Sequence, residues 1–173
     1  YWCPRHIFFD KFPINIKDKS PFQNGLIVGF QIDSSRLTNQ PLDIKFAVNL
    51  IDKLLKLKYK VILFGTKAEL GELRYQTHRN VFIACDKNII KNLSLVKFCD
   101  YLIGGESVFK TMSSMFKIPT LVLHEDNNNR FRDRTFINPY VKEGVMYVYK
   151  YNNLLKEILP AIQFVEKIIK FKL

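Results

Sequence analysis

From Gly25 onward, short apolar runs alternate with longer stretches whose apolar residues recur every three or four positions. The runs at 26–31, 60–64, 81–85, 101–103, 120–124 and 145–149 have strand length and are dominated by Val, Ile, Leu and Phe, as in strands buried on both faces. Between them the spacing predicts helices at 42–57, 67–77, 92–98 and 107–116, and a last one at 152–171. In the first, Ala47, Leu50, Ile51, Leu54 and Leu55 fall at i, i+3, i+4, i+7 and i+8, a single buried stripe. In the fourth, Val108, Thr111, Met112, Met115 and Phe116 repeat that spacing, and the small Ser113 and Ser114 beside them permit close approach to a strand. The last helix carries Leu154, Leu155, Ile158, Leu159, Ile162, Val165 and Ile169 on one side, and Pro160 should kink it. Repeated βα units of this kind predict an α/β fold, a Rossmann-like parallel sheet with helices on both faces. The chain divides into a proline-punctuated leading segment at 1–24, the α/β unit at 25–151, and a C-terminal helix at 152–173 that packs on it.

Length and composition narrow the picture further. At 173 residues one sizeable core is expected, and 47% hydrophobic with 25% charged residues excludes disorder and a disulfide scaffold. The outlier is charge: Lys and Arg number 27 against 16 Asp and Glu, a formal +11. Such an excess suits nucleic acid, an anionic membrane or a phosphorylated ligand. It also suits a bland origin, because Lys, Ile, Phe and Asn, all abundant here, share AT-rich codons. Cys3, Cys85 and Cys99 are odd in number and lack C-x-x-C spacing, so reduced thiols in the cytoplasm are expected, without a metal or other cofactor. No run of 18 apolar residues occurs, and the first residues lack the order of a signal peptide. Lys167, Lys170 and Lys172 end the last helix where its dipole favours cations; core docking is the expectation there, and peripheral contact with an anionic membrane the alternative. The chain opens on Tyr1 in place of Met, which reads as a processed chain or half of something longer.

In an open parallel sheet, ligands bind beyond the carboxyl ends of the strands, so the residues there carry the candidate chemistry. After the first strand come Ser34, Ser35 and Arg36, two hydroxyls and a guanidinium suited to phosphate. After the second come Gly65 and Glu69, a tight turn and a carboxylate suited to a ribose diol. After the fourth come Gly104, Gly105, Glu106 and Ser107, two glycines followed by an acid and a hydroxyl opening a helix. There Glu106 can take sugar hydroxyls while the amides behind it face phosphate. A polar loop beyond the fifth strand holds Arg130, Arg132 and Arg134. Each segment also has an ordinary reading as a cap, a dipole-complementing carboxylate or a solvated turn. His6, His78 and His124 show no metal or triad spacing.

Together these segments resemble the C-terminal, donor-binding domain of the heptosyltransferase-like glycosyltransferases, glycosyltransferase family nine, which have a GT-B fold. The run from Phe98-Cys99-Asp100 through Gly104-Gly105-Glu106-Ser107 to Pro119-Thr120 is similar to that family's a-D-x-x-I-G-x-D-S-G-x-x-H run and the P-T that follows. Ser34-Ser35 with Pro41 is similar to its hydroxyl pair before W-P, and Gly65 with Glu69 to its G-x-x-x-E. The resemblance implies that Ser34 and Ser35 contact the donor diphosphate, Glu69 the ribose and Glu106 the donor sugar. Gly105 and the Ser107 and Val108 amides would face phosphate, Thr111 takes the place of the family's His, and Arg36 would stabilise the leaving group. It further implies a nucleotide-diphosphate sugar as substrate, a cell-envelope glycan or glycolipid as acceptor, inverting transfer without a metal, and 1–24 as an interdomain linker. The catalytic base would belong to an N-terminal domain that this chain lacks.

Two other classes remain beside the glycosyltransferase. A non-catalytic GT-B relative is suggested by Val108 where the family has Gly and Thr111 where it has His. A basic nucleic-acid-binding domain is suggested by the +11 and ranks last, because the aromatic residues mostly occupy apolar stripes.

Overall fold

A computed structural model describes residues 19–32, 44–71, 73–105, 107–125 and 144–151, with 163 and 167. Its elements are β1 (Ile27–Gln31), α1 (Ile44–Lys56), β2 (Lys60–Phe64), α2 (Lys67–Gly71), β3 (Val81–Ala84), α3 (Ile89–Ser94), β4 (Tyr101–Gly104), α4 (Val108–Met115), β5 (Thr120–Glu125) and β6 (Met146–Tyr151), with a 3-10 turn at Leu95–Phe98 between α3 and β4. The six strands form one sheet in the order β3-β2-β1-β4-β5-β6, and all five pairings are parallel. This is the Rossmann-like sheet that the alternating pattern predicts. Its order reverses between β1 and β4, which makes that gap the topological switch point.

Residue alternation along each strand builds two cores. On one face Val28, Phe30, Ile32, Val61 and Leu63 pack against Phe46, Leu50, Ile51 and Leu54 of α1 and against Leu70 and Leu73. On the other, Ile27, Ile62, Phe64 and Leu102 meet Leu93 of α3, Val96 of the 3-10 turn, and Phe109 and Met112 of α4. Each side chain of this size removed from water contributes roughly 1.5–3 kcal/mol, so Phe46, Leu50, Ile51 and Leu54 of α1 together contribute on the order of 6–12 kcal/mol before entropy is counted.

Two helices stop the same way. Lys58 takes φ 65°, its N–H donates to Leu55 O at 3.0 Å, and the Tyr59 N–H donates to Leu54 O at 3.1 Å. After α4, Lys117 takes φ 60°, donating to Ser114 O at 3.0 Å while Ile118 donates to Ser113 O at 2.9 Å. Both are Schellman ends with lysine in the left-handed position that usually selects glycine.

The structure corrects several boundaries. The predicted helix at 67–77 closes at Gly71, and the chain beyond it turns so that the Tyr75 hydroxyl can donate to Asp52 Oδ1 at 2.6 Å. The predicted helix at 92–98 begins earlier, because Asn88 caps α3 by accepting from the Ile90 N–H at 3.0 Å, and its end tightens into the 3-10 turn. The predicted α4 stripe is rotated. Phe109, Met112, Ser113 and Ser114 face the sheet, while Val108 and Thr111 lie outside. Two serines decide this orientation: the Ser113 hydroxyl lies 2.6 Å from that of Thr120 on β5, both fully buried, drawing the helix onto the sheet by its narrowest side. Of the last predicted helix only Gln163 and Lys167 are described, both helical and exposed, and the kink at Pro160 lies outside the described residues.

Candidate functional site

At the switch point β1 and β4 run side by side through the pair Phe30–Ile103 and then part. The next two residues, Gln31 and Gly104, stand where that pairing ends. A Cβ on Gly104 would lie 2.9 Å from Gln31 Cβ and 3.2 Å from its carbonyl oxygen, so only glycine lets the two strand ends stay this close. Gln31 is 5% exposed, a polar side chain on the apolar α4 face of the sheet. Its Oε1 accepts the Ser107 hydroxyl, across a sequence separation of 76 residues.

Ser107 is the N-cap of α4. In extended backbone conformation, its Oγ accepts from the Lys110 N–H at 3.3 Å, leaving the first two amides of the helix, those of Val108 and Phe109, pointing beyond the sheet without an acceptor among the described residues. The turn is held once more by Thr111, whose N–H and hydroxyl both donate to the Ser107 carbonyl, at 3.3 and 3.4 Å. Gly105 is buried beneath this turn. Val108, the first helical residue, is 49% exposed at the mouth of the crevice.

A second concavity opens at the same carboxyl edge, beyond β2 and β3. It is a cleft of about 610 Å³ whose lining includes Lys19, Lys67, Cys85, Asp86, Lys87 and Lys91. Asp86 and Lys91 pair at 3.3 Å. The Asn88 N–H donating to Asp86 Oδ1 at 2.8 Å, and then Lys91, hold that carboxyl below its usual range, so it stays ionised. Lys19, Lys67 and Lys87 have no partner among the described residues, so the cleft presents a surplus of positive charge over an apolar floor of Phe82, Ala84 and Leu95. That combination suits a flat organic body bearing anionic groups.

The sequence-predicted residues divide accordingly. Gly105, Ser107, Val108 and Thr111 come together on one turn at the switch point. Glu69 lies on α2 beyond β2, with β1 between that strand and β4, a lateral distance of about 10 Å at normal strand spacing. Ser34, Ser35, Arg36, Glu106, Arg130, Arg132 and Arg134 lie outside the described residues. Sequence reasoning passed over Gln31. The signal is present, since it is the lone side-chain amide in a strand that is otherwise Ile, Val, Gly and Phe, but it stands within the strand, ahead of the strand-end turns where ligands are expected. The aspartate of the resembling motif, Asp100, is at the opposite end of the sheet. Its Oδ2 accepts the Ile27 N–H at 2.7 Å, and its own N–H donates to Ile27 O at 2.8 Å, which sets the β1–β4 register. Cys99, buried beside Gly29, has its thiol pushed well above its ordinary range by burial. Among the described residues no three His, Cys, Asp or Glu side chains gather as a metal site, and no helix is long and apolar enough to cross a membrane.

No family profile and no curated protein sequence matches the chain. Solved structures do. The E. coli heptosyltransferase WaaC, in a structure with ADP-2-deoxy-2-fluoro heptose, superposes with a TM-score of 0.65 at 12% identity, over 90% of this chain and 46% of that one. The E. coli ADP-heptose LPS heptosyltransferase II gives 0.57 at 14% identity, over 83% and 48%. A family 9 glycosyl transferase from Veillonella parvula gives 0.57 at 18%, over 75% and 36%. The chain thus spans less than half the length of each. At these identities the likeness is one of fold: the Rossmann-like sheet is shared with part of these glycosyltransferases.

Proposed function

We propose that this chain is the donor-binding half of a heptosyltransferase-like glycosyltransferase, taking a nucleotide-diphosphate sugar for transfer to a cell-envelope glycan or glycolipid. The observation that carries the proposal is the capped α4 N-terminus at the switch point, with two amides that lack an acceptor among the described residues, in a fold shared with heptosyltransferases. Backbone N–H groups and the positive end of a helix dipole favour a diphosphate there. The cleft beyond β2 and β3 leaves room for the nucleoside, and Glu69, by resemblance, would take the ribose hydroxyls.

In transfer, an acceptor hydroxyl attacks the anomeric carbon as the bond from that carbon to the diphosphate oxygen breaks. The hydroxyl proton passes to a base in the other half of such an enzyme, and the nucleoside diphosphate leaves with the bonding electrons. This half supplies leaving-group stabilisation, through the Val108 and Phe109 amides and, by resemblance, Arg36, Ser34 and Ser35, while Glu106 holds the sugar. No metal is required, and the protein works in the cytoplasm, peripherally at an anionic membrane.

A second reading, a donor-fold domain that binds without catalysis, is favoured by Val108, whose half-exposed isopropyl group narrows the approach to the α4 amides. Titration calorimetry of the folded full-length protein with ADP- and UDP-sugars tests the first reading. Binding of one of them, weakened by Glu106→Ala, is expected; no binding of either sinks it. Sugar transfer to an acceptor by the intact protein separates an enzyme from a non-catalytic relative.

A further inference from the structure

We propose that Gln31 is a positioning residue for the donor diphosphate, acting through Ser107. This rests on the donor-binding reading above and goes beyond it by naming a residue that touches neither sugar nor phosphate.

The physical case begins with the Ser107 hydroxyl, which has one proton and two lone pairs. The proton goes to Gln31 Oε1, and one lone pair takes the Lys110 N–H. The side chain is therefore committed inward and has no proton to offer a ligand. What it offers is orientation, since the cap fixes where the first turn of α4 starts and hence where the Val108 and Phe109 amides aim. A cap serine alone could swing with the loop before it. Here it is fastened to β1, the central strand beside the switch point, by a carboxamide that is itself held between Gly104 and the α4 face. The absence of a side chain at Gly104 is what admits Gln31 here, because a Cβ would sit 2.9 Å from Gln31 Cβ and 3.2 Å from its carbonyl oxygen. Three residues distant in sequence, Gln31, Gly104 and Ser107, thus form one device whose output is the geometry of two amides.

The neutral charge of the device matters as much as its shape. A glutamate at 31 could still accept the Ser107 hydroxyl, but it would bury a negative charge behind the turn proposed to take the diphosphate, costing both stability and anion affinity. A leucine would remove the acceptor and leave the serine proton unpaired.

The experiment uses the full-length protein, with ADP and UDP as probes in calorimetry and thermal melts as the control for folding. Gln31→Glu is expected to melt below wild type, because it buries a carboxylate, and the protein that remains folded is expected to bind the preferred diphosphate about tenfold or more weakly. Gln31→Leu and Ser107→Ala are each expected to weaken binding, and their double variant to bind no worse than either alone, because both act through the same hydrogen bond. If Gln31→Glu and Gln31→Leu stay folded and bind like wild type, or if the Gln31→Leu and Ser107→Ala losses simply add, the role assigned to Gln31 is wrong. If wild type itself binds neither diphosphate, the donor-binding reading fails and the assignment fails with it.

Discussion

Substituting alanine at two glycines of this chain should have opposite effects, and the structure supplies the reason. At Gly29, in the middle of β1, an added Cβ would lie 2.7 Å from Leu102 Cδ1, 2.8 Å from Cys99 Sγ and 3.0 Å from Phe64 Cε2. All three belong to the buried core on the α4 face, and none is a flexible end that could swing into solvent. Overpacking of a filled core by one methyl group costs typically 1–3 kcal/mol, and contact on three sides places Gly29→Ala at about 2–3 kcal/mol. For a domain of this size that lowers the melting midpoint by roughly 5–10 °C. At Gly71, the last residue of α2, nothing lies within 4 Å of an added Cβ and the backbone is not left-handed. There the substitution chiefly restricts the unfolded chain and should stabilise by up to about 1 kcal/mol. Urea denaturation monitored by circular dichroism measures both. A third variant fixes the cause: in Gly29→Ala with Cys99→Ala the sulfur at 2.8 Å is gone, so the pair should cost about 1 kcal/mol less than the sum of its parts. If Gly29→Ala unfolds at the same urea concentration as wild type, or the double variant is strictly additive, the packing described around Gly29 is wrong.

Three further outcomes are expected. Lys58→Gly and Lys117→Gly relieve left-handed strain at two Schellman ends and should each raise stability by about 0.5–1 kcal/mol in the same assay; a loss would mean that the lysines hold the turns in some other way. Asp100→Ala removes the acceptor of the Ile27 N–H and should cost roughly 1.5–3 kcal/mol while leaving ADP and UDP binding unchanged, because it acts at the far end of the sheet; a selective fall in affinity would give this motif residue a direct role. Thiol labelling followed by mass spectrometry should modify the half-buried Cys85 quickly and the buried Cys99 only on unfolding. The Cys99 thiol titrates higher in the folded state than in the unfolded one, so its contribution to stability is full below about pH 8.5 and declines as pH rises above that. Rapid labelling of both thiols in native protein would contradict the burial.

Much of the architecture is a matter of local pattern. Six strands and four helices of the α/β unit are legible because apolar side chains on a buried strand must be continuous and those on a half-buried helix must recur every three or four residues, constraints that each segment meets by itself. The alternation of the two then forces parallel pairing, since consecutive parallel strands need a crossover. The strand-end turns are legible for a related reason: Gly104-Gly105 ahead of a serine cap is a local instruction, and Ser107 does cap α4. What local pattern could not settle is which side of α4 faces the sheet. The stripe containing Val108 and Thr111 competes with one containing Phe109, Met112 and two serines, and the choice belongs to Thr120 on another strand, whose hydroxyl meets that of Ser113. Nor could it settle that the chain beyond α2 turns back so that the Tyr75 hydroxyl donates to Asp52 on α1.

The candidate site divides along the same line. Of the residues on one turn, Gly105 and Ser107 are legible as glycine followed by a cap, and Val108 and Thr111 through the resemblance to the family motif. Gln31 is not, because its meaning depends on a partner 76 residues away and on a glycine that makes room for it. Sequence by itself determined the layered sheet, its parallel sense and the edge where ligands meet it, because burial and crossover geometry act segment by segment. Only the tertiary structure decided that a glutamine in a hydrophobic strand fastens the cap of a distant helix, because a hydrogen bond between two polar groups removed from water exists only where packing brings them together.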